Sequence, residues 1–191
     1  LNVIGEMAAS IGHEVRNPMT TVRGFLQIFQ RKEKFAQYRQ EIDTMIEELD
    51  RVNNIITEFL SLAKDKVVLM KLGNINDTIY TLYPLLQADA LTRGHEVKVE
   101  TKKVPEFYFD EKGLRQLILN LVRNGLEAMD KHGVVTIRTF HDDECITLEI
   151  EDMGKGIPEH VMDKLGTPFV TTKANGTGLG LPVCYRIADR Q

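Results

Sequence analysis

The 191-residue sequence predicts an α+β fold in two parts: a helical hairpin over residues 1–66 and a mixed α/β unit over residues 67–191. Three observations carry this expectation. Apolar residues recur at helical spacing through the first part, with one charged break at Arg31 to Lys34. After Asp65 the pattern changes to short alternating stretches set between further helical ones. Two glycine-containing turns then follow, one closing a predicted strand and one opening a predicted helix.

The first helix is expected from Asn2 to Arg31. Ile4, Ile11, Pro18 and Phe25 form one apolar line, and Ala8, Val15, Val22 and Phe29 form the adjacent one. Pro18 lacks an N–H and frees the Glu14 carbonyl, at a cost of about 3 kcal/mol in a helix interior. The apolar spacing nevertheless passes through Pro18 in phase, which predicts a kinked but continuous helix. His13 falls off the packed stripe, with Asn17 one turn ahead and Thr20 two turns ahead on the same side. Glu14 is its neighbour and could take the imidazole proton or hold the tautomer whose other nitrogen attacks. Taken alone, the pair is weak evidence, since an exposed histidine is usually only a surface residue.

The second helix is expected from Phe35 to Lys64, with Tyr38, Ile42, Met45, Leu49, Val52, Ile56, Phe59 and Ala63 at steps of three and four. Ile46, Ile55 and Leu60 widen its stripe. Two helices cannot enclose a core by themselves, so the hairpin predicts a homodimer closed as a four-helix bundle. The alternative is that the stripe packs on the rest of its own chain.

In the second unit, Val67 to Lys71 reads as an extended linker. Ile75 to Thr92 reads as a helix interrupted by Pro84 and ended by Gly94. His95 to Thr101 alternates as a strand, and Phe107 to Phe109 is a shorter one that delivers Asp110 as an N-cap. The next helix, Glu111 to Asp130, has a packing face of Leu114, Ile118, Leu121, Gly125 and Ala128. Its polar face carries Gln116, Asn120, Asn124 and Glu127. Val134 to Phe140 and Cys145 to Glu151 form a hairpin about His141-Asp142-Asp143. Pro158 opens a short helix, and a loop from Gly166 to Gly176 leads to a last helix starting near Thr177.

Composition narrows the function classes. A net charge of -4 provides no basic field for nucleic acid, and no Lys/Arg stripe with interleaved aromatics is present. The two cysteines, Cys145 and Cys184, lack metal-ligand spacing and read as buried thiols. No apolar run is long enough to cross a bilayer. The chain opens inside a helical pattern without methionine, which reads as a catalytic portion excised from a longer protein and placed in the cytoplasm, preceded by a membrane anchor or a sensor.

Chemistry concentrates in the second unit. Asp152 at a strand end can accept from an exocyclic amine such as adenine N6, while Gly154 and Gly156 let the chain turn beneath the ring. Gly176, Gly178, Leu179 and Gly180 sit at a helix start, where backbone N–H groups and the helix dipole favour phosphate. An amide oxygen of Asn124 suits Mg²⁺, with Asn120 on phosphate and Glu127 on a metal-bound water. Lys173, after Thr171 and Thr172, could swing over the phosphates. Each piece has an ordinary alternative, a tight turn or a pair of surface asparagines.

Their order is more specific. His-Glu-Val-Arg-Asn-Pro at His13 to Pro18, Asn120-Leu-Val-Arg-Asn124, Asp152 to Gly156, Thr167-Pro-Phe169 and Gly176 to Leu181 together resemble the sensor histidine kinases of two-component systems. They look like the phospho-acceptor box, the N box, the first glycine box, the phenylalanine box and the second glycine box. Within that family the sequence is similar to the sporulation kinases of endospore-forming bacteria. The resemblance implies a dimerisation and phosphotransfer hairpin joined to a Bergerat-type (GHKL) ATP-binding α/β sandwich, with ATP and Mg²⁺ as cofactors. His13, Glu14 and Asn17 would be the catalytic residues. Asn120, Asn124, Asp152, Gly154, Gly156, Thr172, Lys173, Gly176, Gly178, Leu179 and Gly180 would bind nucleotide, and Asn124 the metal. It also implies a response-regulator receiver domain and an inhibitory protein as partners.

Two departures stand out: Leu165-Gly-Thr-Pro-Phe-Val170 where the family commonly has Phe-Glu-Pro-Phe-Phe, and an end at Gln191 before the expected final strands. Competing readings are a GHKL-type ATPase clamp, which predicts hydrolysis independent of His13, and a non-catalytic dimeric scaffold that docks a regulator, which predicts no labelled histidine. A kinase acting on serine would give an acid-stable product.

Overall fold

The computed structural model describes residues 2–63, 68–173 and 176–191, and the side chains of all of these except 2–11, 13 and 61–63. The chain divides into two units, Leu1–Lys66 and Val67–Gln191.

The first unit is a helical hairpin of α1 (Asn2–Gln30) and α2 (Arg39–Ala63). α1 continues unbroken through Pro18. Just downstream, Thr20 Oγ1 donates to the Arg16 carbonyl at 2.9 Å and Thr21 Oγ1 to the Asn17 carbonyl at 3.2 Å, back-bonds of the kind that bend helices. The second helix starts later than its apolar spacing predicts, because Glu33–Tyr38 forms a 3₁₀ helix. Tightening the connection brings Phe35 against Phe29, ring centroids 4.7 Å apart.

Polar rungs set the register of the pair. Arg16 donates to Asn53 Oδ1 at 3.1 Å and to Thr57 Oγ1 at 3.2 Å. Arg23 grips Asp50 with both nitrogens, at 2.7 and 3.1 Å, and Gln30 donates to Asp43. The Arg23 bond holds the Asp50 carboxyl below its usual range, and the same bond raises the guanidinium. Of the large apolar side chains described here, Ile42 is buried. Val15, Val22, Phe25 and Ile28 on α1 remain exposed, as do Met45, Val52 and Phe59 on α2.

The second unit packs helices on one face of a mixed sheet. Its elements are β1 (Lys71–Gly73), α3 (Ile75–Thr92), β2 (Glu96–Thr101), β3 (Phe107–Phe109), α4 (Glu111–Ala128), β4 (Val134–His141), β5 (Ile146–Glu151), α5 (Glu159–Met162) and α6 (Gly180–Ala188). β2 and β4 pair in parallel, Val97 opposite Val135 and Val99 opposite Ile137, and the crossover between them carries α4. β5 returns antiparallel on β4, Ile150 opposite Ile137. β1 and β3 form a separate antiparallel pair.

Alternation sends Val97, Val135 and Ile137 inward, where Ile79, Leu82, Ile118, Val122 and Leu126 of α3 and α4 close over them. On the outer face Arg138 bonds Glu100, Glu149 and Glu151 at 2.8, 2.7 and 2.6 Å, one cation stitching three strands. Asn74 caps α3 by accepting from the Asn76 N–H, and Asp110 caps α4 by accepting from the Lys112 N–H.

Several expectations need correction. α3 runs through Pro84 instead of breaking there. Lys71, read as the end of the linker, opens the strand Lys71–Gly73, while the stretch 64–67 lies outside the described residues. The packing stripe of α4 is Leu114, Leu117, Ile118, Val122, Gly125 and Leu126, which leaves Leu121 and Ala128 half-buried. Cys145 is exposed, and Cys184 alone is a buried thiol. The last helix begins at Gly180, because Gly178 adopts φ 67°, which no α-helix accommodates.

Candidate active site

In the hairpin, the candidate chemistry lies on α1. His13 belongs to that helix, and its side chain lies outside those described. Glu14 and Asn17 are both exposed. Thr20, expected beside them, turns its hydroxyl back onto the Arg16 carbonyl and serves the helix.

In the second unit, α4 is the axis on which the predicted nucleotide residues converge. At its middle, Asn120 accepts from Gln116 Nε2 at 2.8 Å and donates weakly to the Gly180 carbonyl at 3.5 Å, which ties α4 to the start of α6. Asn124 follows one turn later, and its Oδ1 accepts from Lys173 Nζ at 3.2 Å. The same ammonium bonds Glu127 Oε2 at 2.6 Å. Lys173 thus rests on α4, with its backbone N–H held by Thr171 Oγ1 at 3.1 Å.

Asp152 lies just past β5, against the bare backbone of Gly125. Its Oδ1 accepts from the Gly154 N–H at 2.8 Å, which fixes the carboxylate and leaves Oδ2 for a ligand donor. A side chain at Gly154 would stand 2.6 Å from Ala128 Cβ and 2.9 Å from its carbonyl, so only glycine lets this loop lie on the end of α4. Gly156 continues the turn at φ 72°.

The second glycine run behaves differently. Gly178 accepts from the Phe169 N–H through its carbonyl at 3.0 Å, and a Cβ there would meet Phe169 backbone carbon at 2.5 Å. Leu179 is wholly buried, so its side chain anchors the turn and its N–H already bonds Thr177 Oγ1 at 3.2 Å. Gly176 donates to the Lys173 carbonyl at 3.2 Å, and Thr172 is exposed. Gly180 opens α6. Beneath these, burial pushes the Cys184 thiol up to about 11.

The arrangement passes a chemical fit test. Asn124 Oδ1 and Glu127 Oε2 already converge on one cation, the Lys173 ammonium, and hard oxygen donors of this kind suit Mg²⁺. The glycine contacts at Ala128 and Phe169 pack both glycine turns tightly against the chain itself, which fixes their backbone.

One feature had no signal in the motifs. Arg93, at the end of α3, lies 3.9 Å from Glu127 and bonds Asp89 at 3.1 Å; Asp89 in turn lies 3.9 Å from Arg123. The spacing of Asp89 and Arg93 is an i,i+4 pair, which could have marked this face.

Residues 3–66 match the model of the His Kinase A (phospho-acceptor) domain, and residues 109–191 that of the histidine kinase-, DNA gyrase B- and HSP90-like ATPase. The chain belongs to the sensor histidine kinases. Sporulation kinase C of Bacillus subtilis (strain 168) is 36% identical over 189 residues, 98% of this chain and 44% of that protein. The chain spans from about a quarter to just under half of the length of the sporulation kinases it matches.

Two solved histidine kinases share the architecture. Full-length ShkA in complex with AMPPNP superposes with a TM-score of 0.85 at 22% identity, over 98% of this chain and 41% of ShkA, a likeness of fold. Histidine kinase ThkA in complex with response regulator protein TrrA gives a TM-score of 0.68 at 28% identity, over 100% of this chain and 56% of that one. Among the described residues, no helix of this kinase chain is long and apolar enough to cross a membrane.

Proposed function

We propose that this chain carries out ATP-dependent autophosphorylation of His13 and then passes the phosphoryl group to an aspartate of a response-regulator receiver domain. The observation that carries this reading is the convergence of Lys173 and Gly180 on the polar face of α4 and of Asp152 and Gly154 on the adjoining Gly125–Ala128 edge, in a chain whose α1 bears His13 and Glu14. A phosphohistidine holds an energetic P–N bond suited to onward transfer.

In this reading Asp152 receives the adenine amine, Asn120 orients phosphate and Asn124 holds Mg²⁺ with Glu127 nearby. The ion supplies positive charge against the transferring oxygens. The Gly178 and Gly180 N–H groups and the Lys173 ammonium add to it, with Thr172 in the same loop, while the Gly176 and Leu179 N–H groups already bond within that loop. A ring nitrogen of His13 attacks the γ-phosphorus in line, the P–N bond forms as the P–O bond to ADP breaks, and Glu14 takes the ring proton. Asn17, one turn on, positions water for the reverse, phosphatase-type reaction.

The exposed stripe of Val22, Phe25, Ile28 and Met45 supports a homodimer closed as a four-helix bundle. The complex of ThkA with TrrA supports a response regulator as partner. The names of the Bacillus subtilis relatives support a role in a sporulation phosphorelay. The use of ATP supports a cytoplasmic setting for this portion, with any membrane anchor in a region outside the sequence.

The test is incubation with Mg²⁺ and γ-labelled ATP, followed by separate acid and alkali treatment. Wild type is expected to carry acid-labile, alkali-stable label and H13Q to carry none. Wild-type levels of label on H13Q would overturn the assignment, and label stable to acid would move it to serine.

A further inference from the structure

The position of Lys173 has a consequence beyond phosphate binding. Its ammonium is held by two oxygens of α4, Asn124 Oδ1 at 3.2 Å and Glu127 Oε2 at 2.6 Å, and both it and Glu127 are about one-third exposed. Asn124 Oδ1 is also the oxygen assigned above to the metal. An ammonium and a divalent cation cannot share one oxygen pair, because like charges a few ångströms apart repel strongly in a partly desolvated site.

We propose that Lys173 is the resident cation of the Asn124–Glu127 oxygen pair, and that Mg²⁺ binds there by exchanging with it. The proposal rests on the nucleotide reading above and adds an order of events. The metal enters with the nucleotide, the ammonium leaves α4, and the γ-phosphate is its next partner. The cation that delivers charge to the phosphates is therefore the one the metal evicts.

The far side of Glu127 makes the exchange workable. Its Oε1 lies 3.9 Å from Arg93 Nη2, and Arg93 is fixed by Asp89 at 3.1 Å. When Lys173 departs, Glu127 keeps a cationic neighbour and stays on the face where a metal-bound water needs it. Arg93 is thus a positioning residue for this carboxylate. The tether of Lys173 N–H to Thr171 Oγ1 keeps the displaced side chain next to the site.

ADP separates the exchange from the phosphate contact, because it has no γ-phosphate to receive the freed ammonium. Calorimetry on this chain with ADP plus Mg²⁺, ADP plus EDTA, and AMPPNP plus Mg²⁺ gives the readout. K173Q removes the resident cation without emptying the space. It should bind Mg-ADP about threefold more tightly than wild type, the scale of a part-exposed ion pair. No such gain should accompany metal-free ADP, and the gain should vanish with AMPPNP, where the ammonium finds its partner.

In an E127Q background the K173Q gain on Mg-ADP should shrink, because the holding carboxylate is already gone. Equal or weaker Mg-ADP binding by K173Q, with wild-type melting, would overturn the exchange. So would a shift of the same size with and without metal, or a wild-type ADP affinity that ignores Mg²⁺. Failure of wild type to bind ADP or AMPPNP under any condition would overturn the nucleotide reading as well.

Discussion

The hairpin and the mixed unit carry equally clear apolar patterning and use it in opposite ways. In the mixed unit Ile79, Ile118, Val122 and Ile137 are fully excluded from solvent. In the hairpin Val22, Phe25, Ile28 and Met45 remain 49–57% exposed. A periodic stripe specifies which face wants burial, but a second layer has to supply it. The mixed unit has that layer in its own sheet, whereas in the homodimer proposed above a second copy would supply it to the hairpin.

The comparison breaks most sharply at the hairpin surface. Val22→Glu puts a charge on the exposed stripe of each copy, so its cost is counted twice in a dimer. Self-association should weaken by about 3 kcal/mol, roughly a hundredfold. Sedimentation should show monomers while nucleotide binding by the mixed unit persists; a dimer of unchanged stability would place the interface elsewhere.

The converse substitution, Ile118→Ala, opens a cavity in a core the chain builds for itself. It should destabilise the mixed unit by about 2–5 kcal/mol and leave hairpin association intact. Calorimetric melting checks both halves of that statement. Coupled loss of the two units would show that the hairpin depends on the core as well.

pH gives the gentlest separation. Asp50 is held below its usual range by Arg23, so it contributes stability that is present above the ordinary aspartate value of about 3.9 and lost as pH falls through its lowered one. R23A should remove that acid-side dependence from the hairpin. Cys184 behaves in the opposite sense: burial raises it to about 11, so its contribution is lost as pH rises from the ordinary thiol range toward that figure. Thiol labelling of folded protein should reach exposed Cys145 at neutral pH and spare Cys184.

Much of the architecture was legible because it rests on local rules. Helix lengths, the Asp110 cap and the β4–β5 hairpin follow from periodicity and turn chemistry within a few residues. Pro18 did not break α1, as its in-phase stripe predicts, and Pro84 did not break α3 although the proline was read as interrupting it. β1 was invisible because three residues hold no alternation; its identity comes from pairing Lys71 with Phe109, far along the chain.

The candidate site divides along the same line. Asp152, Gly154 and Gly178 could be singled out because turns demand glycine and strand ends present carboxylates. The rest of Lys173 on Glu127, and the support of Glu127 by Arg93, join segments dozens of residues apart and have no local signature. The start of α6 was misplaced for a related reason. Thr177 reads as the start of the last helix, but its hydroxyl holds Leu179 N–H inside the turn before the helix.

The rungs between α1 and α2 give the hairpin the character of a ratchet. Arg16, Arg23 and Gln30 advance by seven residues on one helix while Thr57, Asp50 and Asp43 retreat by seven on the other. A slide of two full turns would again set Arg23 opposite Asp43 and Arg16 opposite Asp50, so the teeth alone allow a second stop. The Phe29–Phe35 contact beside the 3₁₀ turn is the pawl that selects the first. Deleting one residue between Asp43 and Asp50 would turn everything beyond it by about 100°, stripping Arg16 and Arg23 of their partners while sparing Gln30.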